Sequence, residues 1–433
     1  MGFLRKKISA NIVAIGTVTA TKSVKSKGVI PMTTILVVAA LDTKGTEVAF
    51  CREQIETLGA RVLLMDGGIL GQPTIKPDVT REEVAAAAGT TIEQVRRIRA
   101  EGDAIGVQAQ GAGIIALRLY EEGKIQGVLG IGGSMGTVLG TGVMRALPIG
   151  IPKFMVSSQA GNPAMSRLIG TKDICMFHSV SDVAGLNRFT RMIFTRACGG
   201  VVGMARVEVK EERNAKRTVA LCAKGSTENA NRMIRQRLAD AGFVPMTFHC
   251  FGFGPVSLEQ VIADGYIDGG VIELSSDWLD HITGGFSYPP DDRYENAGKL
   301  GLPQVFVPGT CDLTAGPPGK HTDRKTHLHN ESVMCYRSSY AELYRVGTEI
   351  GKKLSKSKGP VTVVIPLRGF SVYDRVDGPM YDPEANAGFI DAISAFPDKV
   401  KVIKVDAHIS DEKFTDAVME AFFENVAATE TLS

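Results

Sequence analysis

The stretch Ile35-Leu36-Val37-Val38-Ala39-Ala40-Leu41 runs directly into Asp42-Thr43-Lys44-Gly45-Thr46-Glu47 and decides the fold class. A short apolar run that ends in capping residues is typical of a buried parallel strand leading into a helix. At such a junction, strand and helix ends meet at the edge of the sheet where α/β proteins bind ligands. Asp42, Thr43 and Lys44 offer a carboxylate, a hydroxyl and an ammonium. This junction therefore predicts a phosphate ligand, with or without Mg²⁺, while helix capping is the alternative.

The same strand-to-helix pattern recurs along all 433 residues. In the first half it predicts strands at Ile35–Leu41, Arg61–Asp66, Gly127–Ile131 and Lys153–Val156. The predicted helices there are Lys44–Leu58, Arg81–Ala88, a broken Ile92–Glu122, Ser134–Arg145 and Asn187–Cys198. Beyond the polar segment 210–217, strands are predicted at Thr218–Ala223, Met246–Cys250, Val271–Leu274, Gln304–Val307, Val361–Ile365 and Val400–Val405. This α/β pattern predicts two consecutive Rossmann-like domains with mostly parallel sheets, at 32–209 and 217–428. A single large sheet is the alternative.

Charge is distributed unevenly along the chain. Six of the 49 basic residues and none of the 47 acidic residues stand in the first 41 positions. Residues 1–31 are therefore predicted to be a basic extension, unstructured or preceding a translation start at Met32, with a mitochondrial transit peptide as the alternative. The remaining chain carries 43 basic against 47 acidic residues, which argues against a nucleic-acid partner.

The cysteines and one long uncharged segment bear on the cellular compartment of the protein and on its contact with membranes. The seven cysteines are scattered and form no CxxC pair, which favours a cytoplasmic protein and indicates no cysteine metal site. The uncharged segment 125–144 is long enough to span a bilayer, but seven of its residues are glycine. Its pattern of strand, loop and helix predicts no membrane partner.

A second candidate junction is Gly130-Ile131-Gly132-Gly133-Ser134-Met135-Gly136-Thr137, again between a predicted strand and a predicted helix. Gly132, Gly133 and Gly136 would let the backbone approach a phosphate, and Ser134 and Thr137 would add hydroxyl donors. The spacing matches neither GxGxxG nor GxxxxGK[ST]. Phosphate binding and a tight structural turn both remain open for this segment.

The second half carries its own constellation of candidate site residues. A predicted long loop from Thr310 to Ser338 contains His327, His329 and Arg337, and Glu273 ends a predicted strand. Loops of this length often have a function. The two histidines could act as acid and base or ligate a metal, whose identity stays open, while the cationic groups favour binding of an anionic substrate.

Taken in order, these junctions resemble the tomato mosaic virus resistance protein-like ATP-binding family, also called uncharacterised protein family 0261. The resemblance covers about residues 33–425 and is carried by several short stretches. They are Leu41 to Glu47, Gly132 to Thr137, Ser179-Val180-Ser181-Asp182-Val183-Ala184-Gly185-Leu186-Asn187, Phe248-His249, His329-Asn330, Gly369-Phe370-Ser371 and Tyr381-Asp382-Pro383-Glu384-Ala385-Asn386. The resemblance implies two α/β domains, the first an ATP-binding module, and a homodimer.

Three functions are compatible with these observations. The first is an ATP-binding protein, with Mg²⁺, that acts as an enzyme on a small anionic metabolite in a cleft between the domains. Its nucleotide would lie at Asp42, Thr43, Lys44, Gly132, Gly133, Ser134, Gly136 and Thr137, and its catalytic groups would be Glu273, His327, His329 and Arg337. The second is a nucleotide-responsive module that binds a protein partner without turnover. The third is a nucleotide-independent hydrolase or lyase.

Overall fold

The computed structural model describes residues 32–162, 165–209, 216–287, 289–321, 323–396 and 399–432. The predicted transit peptide or extension, residues 1–31, lies outside the described residues, as does most of the polar segment 210–217. The chain divides into two compact units on either side of residues 211–212.

The first unit is built on a five-stranded parallel sheet. Its strands are β1 (Thr34–Ala39), β2 (Arg61–Asp66), β3 (Gly127–Gly132), β4 (Lys153–Ser157) and β5 (Ile174–His178). Its helices are α1 (Leu41–Thr57), α2 (Arg81–Ala87), α3 (Ile92–Arg96), α4 (Glu101–Glu121), α5 (Ser134–Ala146), α6 (Met165–Ile169) and α7 (Arg188–Arg206). The spatial strand order is β2-β1-β3-β4-β5, so the chain reverses direction across the sheet between β1 and β3.

Alternation along β1 explains why helices cover both faces of this sheet. Ile35 and Val37 are fully buried in a core formed with residues of α1 and α7. Leu36 and Val38 are equally buried on the other face, against α4 and α5. A strand that is apolar on both faces requires two helical layers, which is the doubly wound arrangement.

The second unit repeats this architecture with six parallel strands. The strands are β6 (Thr218–Ala223), β7 (Val244–His249), β8 (Gly270–Glu273), β9 (Gln304–Phe306), β13 (Val361–Pro366) and β14 (Lys401–Val405). The helices are α8 (Glu228–Asp240), α9 (Gly254–Ala263), α10 (Trp278–Thr283), α11 (Asn296–Lys299), α12 (Tyr340–Leu354), α13 (Pro383–Ile393) and α14 (Glu412–Leu432). The order is β14-β13-β9-β8-β6-β7. The prediction of two Rossmann-like α/β domains with mostly parallel sheets is confirmed.

The prediction of one long loop from Thr310 to Ser338 is wrong for about half of that segment. The segment contains a three-stranded antiparallel sheet of β10 (Leu313–Gly316), β11 (Thr326–Asn330) and β12 (Val333–Arg337), in the order β10-β12-β11. The edge strand β11 is Thr-His-Leu-His-Asn and is mostly exposed, so it has no apolar alternation for a pattern search to find.

Two further boundaries differ from expectation. The edge strand β5 is not among the predicted strands, because its apolar run from Ile174 to Phe177 is short and only partly buried. Helix α1 begins at Leu41 and not at Lys44. Among the described residues, no helix combines the length and the hydrophobicity needed to cross a bilayer.

Candidate functional site

A cavity of about 840 Å³ lies in the first unit, at the carboxyl edge of its sheet. It opens where the loops after β1 and β3 diverge, the position at which doubly wound sheets bind ligands. Its lining includes Ala40, Asp42, Thr43, Lys44, Gly68, Ile69, Leu70, Arg96, Arg99, Gly132, Gly133, Ser134, Gly136, Ser158, Val180 and Asp182. Seven of the eight predicted nucleotide-binding residues line this one cavity, and Thr137 does not.

The β1–α1 junction contributes the first wall. Because α1 begins at Leu41, Asp42 and Lys44 stand in its first turn. Asp42 Oδ2 accepts a hydrogen bond from the Gly71 amide at 3.0 Å and lies 3.6 Å from the Arg81 guanidinium. The Asp42 carboxylate therefore already has internal partners, while the exposed Thr43 has its hydroxyl 3.4 Å from the Ala40 carbonyl.

Two side chains of α1 hold the loop between β5 and α7 in place. The Lys44 ammonium donates to the Val183 carbonyl. The buried carboxylate of Glu47 accepts from the Gly185 amide at 2.6 Å. Since a carbonyl partner does not neutralise an ammonium, Lys44 still contributes positive charge to the cavity while it positions the loop.

The β3–α5 junction contributes the second wall. Helix α5 has Gly133 as its N-cap and no capping side chain, so the amides of its first turn face the cavity side without side-chain partners. A Cβ built on Gly132 would lie 2.5 Å from the Gly136 Cα, whereas one on Gly133 would meet nothing closer than Ser158 Oγ at 3.7 Å. Gly132 is thus required for close packing of helix on strand, and Gly133 leaves open space above the helix end.

Thr137, the remaining predicted ligand residue, lies behind this wall. Its buried hydroxyl bonds the Gly133 carbonyl at 2.7 Å and the Ser157 hydroxyl at 2.6 Å. It therefore shapes the turn from within, while the exposed Ser134 is the hydroxyl that lines the cavity.

The rim opposite α5 is strained. Val180 has φ of +63°, a conformation that is costly for a β-branched residue. The Ser181 amide bonds the Ser179 carbonyl at 2.7 Å across it, and the Ser179 hydroxyl bonds the Ser181 carbonyl at 2.6 Å. This tight turn presents Asp182, whose Oδ1 would lie 3.9 Å from a Cβ on Gly133. An exposed carboxylate thus stands close to the amino end of α5.

Sequence reasoning missed the third wall, which comes from α3 and the turn that follows it. Arg96 and Arg99 line the cavity and both are exposed. The Arg96 Nε donates to the Ile69 carbonyl at 2.7 Å, which fixes its orientation. The signal in the sequence that could have found them is the predicted break in the helix over Ile92–Glu122. The break lies between α3 and α4 and places these two arginines at the sheet edge.

A buried ion pair supports the floor of the cavity. Arg81 is 2% exposed and its Nε donates to Asp66 Oδ2 at 2.7 Å. Asp66 Oδ1 accepts from the amides of Leu41 and Gly68, so the carboxylate joins the ends of β1 and β2. The pair holds both loops at the cavity, and its desolvation makes loss of either partner costly.

The four residues predicted as catalytic lie in the second unit, and two of them, Glu273 and Arg337, are bound by other residues of that unit. Glu273 is bound by the buried Arg293 at 2.5 and 2.7 Å. Arg337 is buried and donates to the carbonyls of Asp312 and Asp382 and to Asn386. These contacts are those of structural ion and hydrogen-bond networks.

The two histidines lie on the edge strand β11. The ring centroid of His327 is 4.4 Å from that of Tyr373, and His327 lines a shallow cavity of about 510 Å³ between β11 and residues 372–379. His329 is exposed. Within the described chain, no group of three or more His, Cys, Asp or Glu side chains is arranged to hold a metal ion.

The fold and this cavity define a two-domain α/β protein of the Rossmann-like class, with a ligand crevice at the sheet reversal of its first domain. The family models match along nearly the whole described chain: the UPF0261 N-terminal domain at residues 33–210 and the UPF0261 C-terminal domain at residues 216–426. The chain therefore belongs to the uncharacterised protein family UPF0261.

Individual relatives agree with this assignment. A UPF0261 protein of Clostridium tetani is 32% identical over 89% of this chain and 96% of its own length. One from Brucella suis is 30% identical over 90% of this chain and 94% of its own. The ToMV resistance protein Tm-1(GCR237) of Solanum lycopersicum is 30% identical over 75% of this chain, which corresponds to 44% of that longer protein.

Proposed function

We propose that the first domain binds ATP, with its phosphates at the amino end of α5. The observation that carries the proposal is the cavity at the sheet reversal, into which an uncapped thirteen-residue helix opens beside Gly133. Free amides and the helix dipole favour an anion at this position. The cavity volume lies within the range of small-molecule and cofactor sites.

Each wall has a role in this proposal. The amides of Ser134, Met135 and Gly136 would donate to phosphate oxygens, together with the Ser134 hydroxyl. The cations Lys44, Arg96 and Arg99 would balance the phosphate charge. Asp182 would hold a phosphate-bound Mg²⁺ through water with its Oδ2, because its Oδ1 accepts from the Val183 amide and the Asp42 carboxylate is bound by Gly71 and Arg81.

The proposal rests on charge and shape as well as on family membership. Three basic side chains and a helix amino end surround one cavity, and the strained Val180 turn closes its rim. Strain of this kind persists where the surrounding structure requires it and is common at ligand sites. Whether ATP is hydrolysed, or only bound, is a separate question that the same protein can answer by phosphate release.

Isothermal titration with Mg-ATP tests the site. Ser134→Ala and Arg99→Ala should each weaken binding by about tenfold, since each removes one hydrogen-bond or charge contact to phosphate. Arg118→Ala, which removes an exposed arginine of α4 that does not line the cavity, is the matched control. Gly133→Val should abolish binding by filling the space above the helix end.

Two results would contradict the proposal. One is a wild-type protein that folds normally yet binds no nucleotide. The other is binding that is unchanged in Gly133→Val, because a side chain at that position would occupy the space assigned to the phosphates.

A further inference from the structure

The second domain has its own sheet reversal. Strand β6 lies between β7 and β8, so the connections leave its two sides in opposite directions, and the carboxyl end of such a strand is where α/β sheets bind ligands. Lys224 directly follows β6, and Ser275, Ser276 and Asp277 follow β8. The proposed nucleotide site does not involve these residues.

Lys224 is the central group at this reversal. Its amide donates to the Ser275 hydroxyl at 3.0 Å, which places the side chain against the loop after β8. Its ammonium makes one long hydrogen bond, 3.4 Å, to the Ser276 carbonyl among the described residues. An ammonium can donate three, and this side chain is only half-buried. Lys224 is therefore under-satisfied and open to approach.

Two carboxylate oxygens nearby are buried without a partner among the residues that the structure describes. They are Asp277 Oδ2 and Asp312 Oδ1, on side chains that are 0% exposed. The second oxygen of each is bound: Asp277 Oδ1 by Arg293 and Tyr294, and Asp312 Oδ2 by the Ser371 hydroxyl at 2.7 Å. Because unpaired buried acceptors are costly, these oxygens point to a hydrogen-bond donor supplied by a ligand.

Hydrogen bonds join these groups across four neighbouring strand ends. Thr310, which follows β9, donates its hydroxyl to the same Ser276 carbonyl that Lys224 contacts. The Thr310 amide donates to the Phe370 carbonyl after β13, next to Ser371. Thr310 has φ of +62°, which is strained for a β-branched residue. The loops after β6, β8, β9 and β13 therefore meet at one strained edge.

Charge decides which ligand suits this edge. Asp277, Asp280 and Asp312 are all buried, and burial opposes the charge of Lys224. The neighbouring Asp280, Cys250 and Asp277 nonetheless raise the pKa of Lys224 above its ordinary value, so its ammonium persists at neutral pH. A phosphate or a dicarboxylate would be repelled by the acids. A neutral molecule avoids this repulsion and can still accept from the ammonium.

We propose that this reversal is a second small-molecule site, which binds a small uncharged hydroxycarbonyl compound. The carbonyl oxygen accepts from Lys224, and hydroxyl groups donate to Asp277 Oδ2 and Asp312 Oδ1. Such a compound supplies one acceptor and two donors, matching the under-satisfied ammonium and the two unpaired oxygens. No covalent step is part of the proposal, since a protonated lysine does not form an imine.

Dihydroxyacetone is the probe, titrated calorimetrically into the full-length protein. It should bind with millimolar affinity, and glycerol and acetone, which lack the carbonyl or the hydroxyls, should bind at least about tenfold more weakly. Lys224→Met and Asp277→Asn should each cost at least about tenfold. Lys404→Met, which removes an exposed lysine of β14, should change nothing.

A second measurement needs no variant. At alkaline pH, where a larger fraction of each lysine is the free amine, dihydroxyacetone should slow the acylation of Lys224 by sulfosuccinimidyl acetate, as read by peptide mass spectrometry, while leaving the acylation of Lys404 unchanged. The proposal is overturned if the wild type binds dihydroxyacetone no better than glycerol or acetone. It is equally overturned if Lys224 is not protected. Mg-ATP titration of the same samples reports on the first domain separately, so failure of one proposal does not imply failure of the other.

Discussion

Replacing Arg293 by methionine tests whether Glu273 has a structural role. The Arg293 guanidinium is fully buried and lies 2.5 and 2.7 Å from the two Glu273 oxygens and 3.2 Å from both Asp277 and Glu259. Three buried carboxylates thus depend on one cation. Although burial opposes its charge, Glu273 and its other neighbours hold the pKa of Arg293 well above the ordinary value.

The structure sets the size of the effect. Removing one partner of a buried ion network costs about 3–5 kcal/mol, because the remaining charge stays desolvated. Here the variant leaves Glu273 with no opposing charge, and its carboxylate must either stay ionised at that cost or take up a proton. Taking up a proton is easier at low pH, so the loss of stability should be smaller at pH 5 than at pH 8. Adding Glu273→Gln should recover at least about 1 kcal/mol by removing the unpaired charge.

Urea unfolding followed by tryptophan fluorescence isolates the affected domain. Trp278 is the single tryptophan of the chain, it is 6% exposed, and its ring centroid is 6.1 Å from that of Tyr294. Arg235→Met is the control, since that arginine is largely exposed and lies 4.0 Å from its acidic partner. Its effect should stay within about 0.5 kcal/mol.

A loss below about 1 kcal/mol in Arg293→Met would refute this reasoning, because a buried network should not lose the cation that contacts all three of its carboxylates at so small a cost. A loss that did not depend on pH would refute it as well. Either result would return Glu273 to the list of carboxylates available for catalysis.

Three further predictions concern single residues. Burial raises the pKa of Glu259 from 4.5 to about 7, so the folded domain retains a proton that the unfolded chain releases. The free energy of unfolding of this domain should therefore fall by up to about 3 kcal/mol as the pH rises from 4.5 to about 7. Glu259→Gln should remove most of this pH dependence, as measured by urea unfolding. Val180→Gly should relieve the backbone strain at φ of +63° and increase the free energy of unfolding by roughly 1 kcal/mol. The midpoint of thermal unfolding, measured by circular dichroism, should therefore rise, and an unchanged or lower midpoint would contradict the strain. Gly132→Ala should cost about 1–3 kcal/mol in the same assay because its Cβ meets the Gly136 backbone, whereas Gly133→Ala should cost under about 0.5; equal losses would contradict the packing argument.

Much of the fold could be predicted because it depends on local patterns. Buried parallel strands are continuous apolar runs, so β1, β3 and β6 were evident, and the first-turn residues Asp42 to Lys44 followed from β1. The antiparallel sheet at 313–337 could not be found in this way. Its strand β11 is exposed on an edge, and the pairing with β12 that makes it a strand is a contact, not a pattern.

The candidate site shows the same division. Glycines and hydroxyls after strand ends marked both walls of the first-domain cavity in the sequence, because turns and helix starts require those residue types. The structure alone revealed Arg96 and Arg99 as a third wall, since a broken helix returns them to the sheet edge. It also gave Lys44 and Glu47 their partners in the 183–185 loop.

The sequence by itself determined the fold class, the family and the strand ends at which ligands are expected. Only the tertiary structure decided which polar groups are already satisfied within the protein. Asp42, Thr137 and Glu273 all have internal partners, whereas Lys224, Asp277 and Asp312 keep unmet hydrogen-bonding capacity. The physical reason is that the residue type fixes which hydrogen bonds a side chain can donate or accept. The partners of that side chain lie tens of residues away in the sequence, and only folding brings them together.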